Sequence, residues 1–403
     1  MINSRKKGFT LVELVIVIAV VVILAAVLIP TFCSLVRKAN ISSDTVVAKN
    51  LNTALALYDA ENDIEDFDDV LEGVKEAGYL IANLNAKTTG CFFVWEKETN
   101  QILLVDSKDG YKVLFSVKDG YGTPDESWHF AISNKDIATQ VKADQPNVII
   151  QQTIASIKDL NSWLEEGGTQ VVYLDESLVI EETKPIKVNG GDITLNLSDS
   201  SLSTEGIIDS APIFLEKGNL TIKGGTINAN GIETSEFGRF NVGVGYDPGT
   251  NLVIDGVNFI GITAINGTWT DDGALTMSIK DSTFNVSYGA ITVSAGSPDA
   301  VATIDNCNVN AGVYAIFGSQ GAKITVNGGT YVSKDQAIYS QDSDTLITIN
   351  SGDFNGKLVV NNNGKILING GTFANTGLSL EEFKAFVATG HTVENVNGLY
   401  VVK

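Results

Sequence analysis

Between Asn189 and Ala374 the chain repeats itself, and this repeat limits the possible folds more than any other feature. Leu202, Ile227, Phe259, Phe284, Val309, Tyr331, Phe354 and Phe373 share one position. Five residues earlier stand Leu197, Ile222, Ile254, Ile279, Ile304, Val326, Ile349 and Ile368. Seven residues earlier stand Leu195, Leu220, Leu252, Met277, Ala302, Ile324, Ile347 and Ile366. Every one of these positions is apolar. Turn residues separate them, among them Gly224-Gly225, Asp255-Gly256, Asp305-Asn306 and Asn327-Gly328. The order in–out–in, bend, in describes a strand, a corner and the start of a second strand. Successive repeats lie 19 to 32 residues apart, and no segment has a helical period. That excludes leucine-rich and helical repeats, and propeller blades need about 40 residues or more. The expected fold is an all-β, right-handed parallel β-helix, with like residues stacked in interior ladders.

A weaker ladder supports this reading: Ala264-Ile265, Ala290-Ile291, Ala315-Ile316 and Ala337-Ile338. The long interval from Ile227 to Phe259 implies an inserted loop near residues 231–247. An open coil exposes unpaired edges, so both ends need caps. Ile154–Glu165 reads as an amphipathic helix before Gly167-Gly168, followed by strands at Val171–Leu174 and Leu178–Ile180. At the far end Leu380–Val387 reads as helix and Tyr400-Val401-Val402 as a closing strand. The helix, Gly-Gly, strand opening is similar to the start of pectin-lyase-like β-helix domains. The solenoid with its helical caps is expected over 151–403.

The other end of the chain is of a different kind. Residues 1–8 are short, polar and basic; Phe9 to Ile29 then run apolar with only Thr10 and Glu13 as interruptions. That length makes about 32 Å of helix, enough to cross a bilayer. Lys6 and Lys7 precede it, which puts the N-terminus in the cytoplasm and the rest outside. A secretory signal has an apolar core of only about 7–15 residues and a small-residue cleavage site at its end. Here the basic segment ends in Gly8, before the apolar run begins.

The string Lys-Lys-Gly-Phe-Thr-Leu-Val-Glu-Leu-Val-Ile-Val, residues 6–17, resembles the prepilin signature of type IV pilins and type II secretion pseudopilins. The resemblance implies a leader, residues 1–8, cut between Gly8 and Phe9 by a prepilin peptidase, with N-methylation of Phe9. It implies a transmembrane and assembly helix over 9–39, with Pro30 where many pilins carry a proline. A carboxylate within a membrane helix costs several kcal/mol unless paired. By the same resemblance, Glu13 meets the N-terminal amine of a neighbouring pilin subunit.

Residues 40–150 are expected to form a small α+β head and linker. The helix continues over 31–60, where apolar residues recur at three- and four-residue steps. A second helix runs from Phe67 to Ala77 and stops at Gly78. Strands follow at Cys91–Lys97, Gln101–Asp106 and Tyr111–Val117, and 119–150 reads as loop and linker. This plan looks like the short heads of prepilins.

Composition narrows the function. The net charge is −21, and removing Arg5, Lys6 and Lys7 with the leader leaves 24 basic against 48 acidic side chains, a net of −24. Such a surface repels phosphate backbones, so no nucleic acid is expected on the acidic head. Cys33, Cys91 and Cys307 are odd in number and far apart, which is no disulfide framework.

Catalytic groups are hard to find. His129 and His391 lie outside the repeats, Asp271-Asp272 is an isolated pair, and Arg239 is the one arginine of the solenoid. Glycoside hydrolysis wants carboxylates converging within about 5–9.5 Å. Asp255, Asp281, Asp305 and Asp353 recur near turns and are weighed as a Ca²⁺ cluster against solvated turn residues. No enzyme activity, cofactor or metal is expected. Tyr246, Trp269, Tyr288, Tyr314 and Tyr339 lie outside the main ladder and are the candidate ligand-facing aromatics. The expected protein is a single-pass membrane protein of the cell surface or pilus, whose β-helix serves adhesion. Its expected partners are the peptidase, other pilin subunits, the membrane and a glycan or other host or cell-wall polymer. Two alternatives stay open: a pseudopilin of a secretion or DNA-uptake machine, and a surface polysaccharide lyase or hydrolase.

Overall fold

The computed structural model describes residues 11–79, 84–154, 156–164, 168–174, 177–181, 186–205, 211–230, 242–267, 273–294 and 300–403. These fall into two compact units, 1–131 with 141–150, and 132–140 with 151–403.

In the first unit a single helix, α1 (Leu11–Asp59), runs 49 residues, about 73 Å. Its first half, with Pro30 inside it, is apolar on every side and exposed on every side. From Asp44 onward one stripe is buried: Ala48, Leu51, Ala54, Leu55 and Tyr58. That stripe packs on α2 (Phe67–Glu76) and on an antiparallel sheet. The sheet has β1 (Cys91–Glu96), β2 (Gln101–Asp106), β3 (Lys112–Phe115) and β4 (Trp128–Ile132), in the order β3-β2-β1-β4. Asp66 caps α2 and, with Asp69, closes a capping box.

β4 corrects the reading of 119–150 as loop and linker. Val94 pairs with Phe130, and Trp128, Phe130 and Ile132 are buried. The same stretch also holds α3 (Lys135–Asp144). Trp-His-Phe-Ala-Ile is too short to carry a strand period on its own; the open edge of β1 recruits it.

The second unit is a β-solenoid of about eight turns, with every pairing between coils parallel. One coil shows the plan: Leu275–Lys280 on a first face, Thr283–Val286 on a second and Gly289–Val293 on a third. From the coil of Leu220 onward the sequence register holds: Leu252 pairs with Met277, Ile254 with Ile279 and Phe259 with Phe284. Further on, Val309 pairs with Tyr331 and Phe354 with Phe373.

The first coil departs from that register. Ile193 and Leu195, not Leu195 and Leu197, pair with Leu220 and Ile222, while Leu202 still pairs with Ile227. Two extra residues sit in the bend between Asn196 and Ser201, and Leu197 is buried at that corner.

The bends explain their own composition. Gly224, Gly256, Asp281, Asn306 and Gly328 each stand two residues past a ladder residue, and each has φ between 49° and 82°. Only Gly, Asn and Asp enter that left-handed region at small cost. Gly329 has a second constraint, since a Cβ there would lie 2.3 Å from the Cys307 carbonyl oxygen.

The weaker ladder is the third face. Val244, Ile265, Ile291, Ile316, Ile338 and Leu358 pair in turn, with Ile213 before them. Of the insertion expected over 231–247, Val242–Tyr246 is instead a strand of this face, and 231–241 lie outside the described residues.

Both ends of the solenoid are covered. Ile149–Ile154 adds a strand to Thr169–Leu174, so the helix expected from Ile154 begins later, as α4 (Ile157–Leu164). Leu160, Trp163 and Leu164 of α4 are buried. At the C-terminus, α5 (Leu380–Lys384) brings Phe383 to 5.2 Å from Phe373 and 4.7 Å from Tyr400, between ring centroids. Leu399–Val402 then pairs antiparallel with Gly371–Phe373, which ends the parallel series.

Candidate functional site

Two surfaces carry the candidate residues. The first is the N-terminal half of α1. It is the one helix among the described residues long and apolar enough to cross a membrane, with a mean hydropathy of 3.4 in its most apolar window and none of that window buried. Ile23 and Phe32 are 66% and 67% exposed. Burying one such side chain is worth about 1.5–3 kcal/mol, so an apolar surface this long demands lipid or other helices around it. Glu13 stands in the first turn and faces outward. Gly8 and Phe9 lie outside the described residues.

Past that stretch, three polar side chains hold α1 to its head. Arg37 donates to Asp106 Oδ2 at 2.7 Å and to the Thr89 carbonyl at 2.8 Å. Asp44, itself buried, accepts from the Lys87 and Thr88 amides at 2.9 and 3.0 Å. The Asn52 amide donates to the Ile102 carbonyl at 2.8 Å and accepts from its N–H at 2.9 Å, as a strand neighbour would. Steps of seven and eight residues put all three on one helix face. That spacing is visible in the sequence.

The second surface is the wall of the solenoid, where the five aromatic candidates part company. Tyr246 is fully buried, which removes it from any ligand-facing set. Its hydroxyl donates to the Thr292 carbonyl at 2.9 Å and accepts from the Ser294 amide at 3.1 Å. It occupies an inward position of the third face, over Gly267, where a Cβ would lie 2.6 Å from its ring. Trp269 lies outside the described residues.

Tyr288, Tyr314 and Tyr339 do come together. Tyr288 meets Tyr314 edge-on at 5.3 Å, Tyr314 lies 5.3 Å from Phe317, and Phe317 meets Tyr339 at 5.1 Å. Phe317 was missed; its sequence signal is its place immediately after the ladder residue Ile316. Tyr314 lies across Gly289, where a Cβ would come 2.2 Å from its ring.

The turn aspartates are each engaged by a neighbour. Lys280 Nζ lies 3.0 Å from Asp255, Asn306 donates to Asp281 at 2.8 Å and Asn327 donates to Asp305 at 2.7 Å. Thr372 donates to Asp353. Asn350 donates on to Asn327, and Asn369 to Asn350, so the bend column is a polar ladder. Among the described residues no group of three or more His, Cys, Asp or Glu side chains is placed to hold a metal. Arg239, Asp271 and Asp272 lie outside them.

Among the other titratable groups, His129 packs against both Trp95 and Phe67, which also touch each other, and burial with nearby Lys97 lowers its pKa to about 4. Burial pushes the Cys307 thiol up to about 11 and raises that of Cys91. All three cysteines are free thiols.

Comparison with known proteins bears on the first surface. The Prokaryotic N-terminal methylation motif matches residues 3–29. Over 59 residues the chain is 51% identical to the type IV wide pilus major component PilA4 of Thermus thermophilus, covering 14% of this chain and 43% of that protein. Over 78 residues it is 38% identical to the type IV major pilin protein PilE of Neisseria gonorrhoeae, covering 19% and 47%. A fimbrial protein of Neisseria meningitidis matches at 43% over 56 residues, covering 14% and 33%. The chain thus spans less than half the length of each of these relatives. No solved structure matches it. The N-terminal segment thus carries a prepilin-type methylation motif and is similar to the N-terminal part of type IV pilins, and the second unit is a β-solenoid.

Proposed function

We propose that this chain is made as a prepilin, cut between Gly8 and Phe9, methylated at Phe9, and assembled with other pilin subunits through α1. The observation that carries this reading is the fully exposed apolar half of α1, continuous with the methylation motif. A helix apolar on all sides has no stable place in water, and a membrane or a bundle of like helices satisfies it. The three relatives named above are pilus or fimbrial subunits, which favours a filament over a secretion pseudopilin.

Glu13 then acts as the register pin. Its carboxylate pairs with the amine of the neighbouring Phe9, the partner a charge in an apolar layer requires. The N-terminus is cytoplasmic before assembly, on the strength of Lys6 and Lys7. The solenoid binds a partner or polymer and does not cleave it. This reading is supported by turn aspartates that engage Lys, Asn or Thr neighbours instead of converging.

The test of assembly is Glu13→Leu, expressed beside wild type in cells that carry the pilus machinery. The variant is expected in the membrane fraction at wild-type level and in sheared filaments at about a tenth of it or less. Equal incorporation into filaments would remove Glu13 from assembly.

A further inference from the structure

The chain carries a net charge of −21, yet two columns on one wall of the solenoid are almost free of charge, with Glu181 and Glu205 paired at one end of the same strands. Two outward columns run down the second face, from Ser201 and Ser203 at one end to Thr372 and Ala374 at the other. Asp353 is the single charged residue in them, and the rest are chiefly Thr, Asn and Ser. The neighbouring walls differ: Lys223, Asp255, Lys280 and Asp305 line the bend beside the first face, and Lys187 and Lys357 lie on the third.

At its middle rungs this wall is well exposed. Thr283 and Asn285 on one coil pair with Asn308 and Asn310 on the next, and all four side chains face solvent. Asn310 donates to Asn285 at 3.4 Å, which aligns the two amides along the solenoid axis. Three residues past Asn285 the chain turns through Tyr288, which is 39% exposed and backed edge-on by Tyr314. An uncharged floor of amides and hydroxyls thus has an aromatic border.

That chemistry selects a partner. Amides donate and accept at once, as hydroxyl-rich ligands require. Tyrosine offers a rigid apolar face with a polar tip, at small entropic cost, to the C–H faces of a sugar ring. Rungs fixed about 4.7–4.9 Å apart by the backbone need no ordering before they bind. Anionic polymers are repelled by the net charge, and the floor offers no cation to retain them. We infer that the second face at Thr283–Asn285 and Asn308–Asn310, edged by Tyr288 and Tyr314, binds an uncharged polysaccharide running along the solenoid axis. This rests on the reading of the solenoid as a binding module.

The test uses the full chain in detergent micelles, run in native gels containing dextran, laminarin, galactomannan or amylopectin, with polygalacturonate as the anionic control. Retardation by at least one neutral polymer is expected, with none by polygalacturonate. Tyr288→Ala, and separately Asn285→Asp with Asn310→Asp, should each weaken retardation about five-fold or more, with unchanged melting curves. Retardation by no neutral polymer, or by polygalacturonate alone, would overturn the inference. So would wild-type retardation of both variants, or self-association of the chain that either variant abolishes. The filament assay with Glu13→Leu is independent. A chain that assembles but binds no neutral polymer contradicts this inference alone, and one that binds but never assembles contradicts the proposed pilin role.

Discussion

At His129 an imidazole packs against two aromatic rings that also touch each other, with centroids 4.8 Å from Trp95 and 6.4 Å from Phe67. Burial first, and Lys97 second, lower its pKa from 6.5 to about 4. A group depressed in the folded state contributes stability that is whole above its unfolded value. That stability is lost as pH falls through the folded value. The window is therefore pH 6.5 down to about 4. Denaturant midpoints of the wild type should fall across it, and those of His129→Gln should fall less. Parallel curves for the two proteins would mean that His129 has no part in the acid response. Single residues also explain why Tyr246 was misassigned. Its inward place depends on Gly267 in the next coil, and an aromatic outside the main repeat carries no mark of which way it points.

The element that matters most is the column of stacked rings inside the second face. Phe354 lies 4.9 Å from Tyr331 and 5.0 Å from Phe373, nearly parallel to both. Phe354→Ala should cost about 3–5 kcal/mol. Since each coil touches only its neighbours, amide protection should be lost first around Tyr331 and Phe373 and last around Phe259. Wild-type melting, or uniform loss of protection, would contradict the stacking. Most of this column was legible because burial repeats at fixed offsets from a bend. The first coil was not, because Ile193, Leu195 and Leu197 alternate equally well. Only the length of the corner before Leu202 chooses between registers. β4 escaped for a related reason: a five-residue strand is defined by the edge it joins, which a one-dimensional pattern does not contain.

At the scale of the whole molecule, the chain joins two solutions to the burial of apolar surface. The solenoid hides its ladders by stacking and closes both ends with its own segments. The N-terminal half of α1 hides nothing, and so depends on surroundings that the chain does not itself supply. The pilin-like character of this half was legible from a dozen residues, because the basic segment, Gly8 and the apolar run stand together in sequence. The make-up of the solenoid walls was not, because they are assembled from residues about 25 apart, as Asn285 and Asn310 are. In the proposed function residues 1–8 are a leader and α1 enters a pilus-type assembly. The most direct measurement is the intact mass of the protein recovered from membranes of cells that contain a prepilin peptidase. The expected mass is that of a chain that begins at Phe9 and carries one added methyl group. A mass that retains residues 1–8, or that corresponds to cleavage after Ala26, would contradict it.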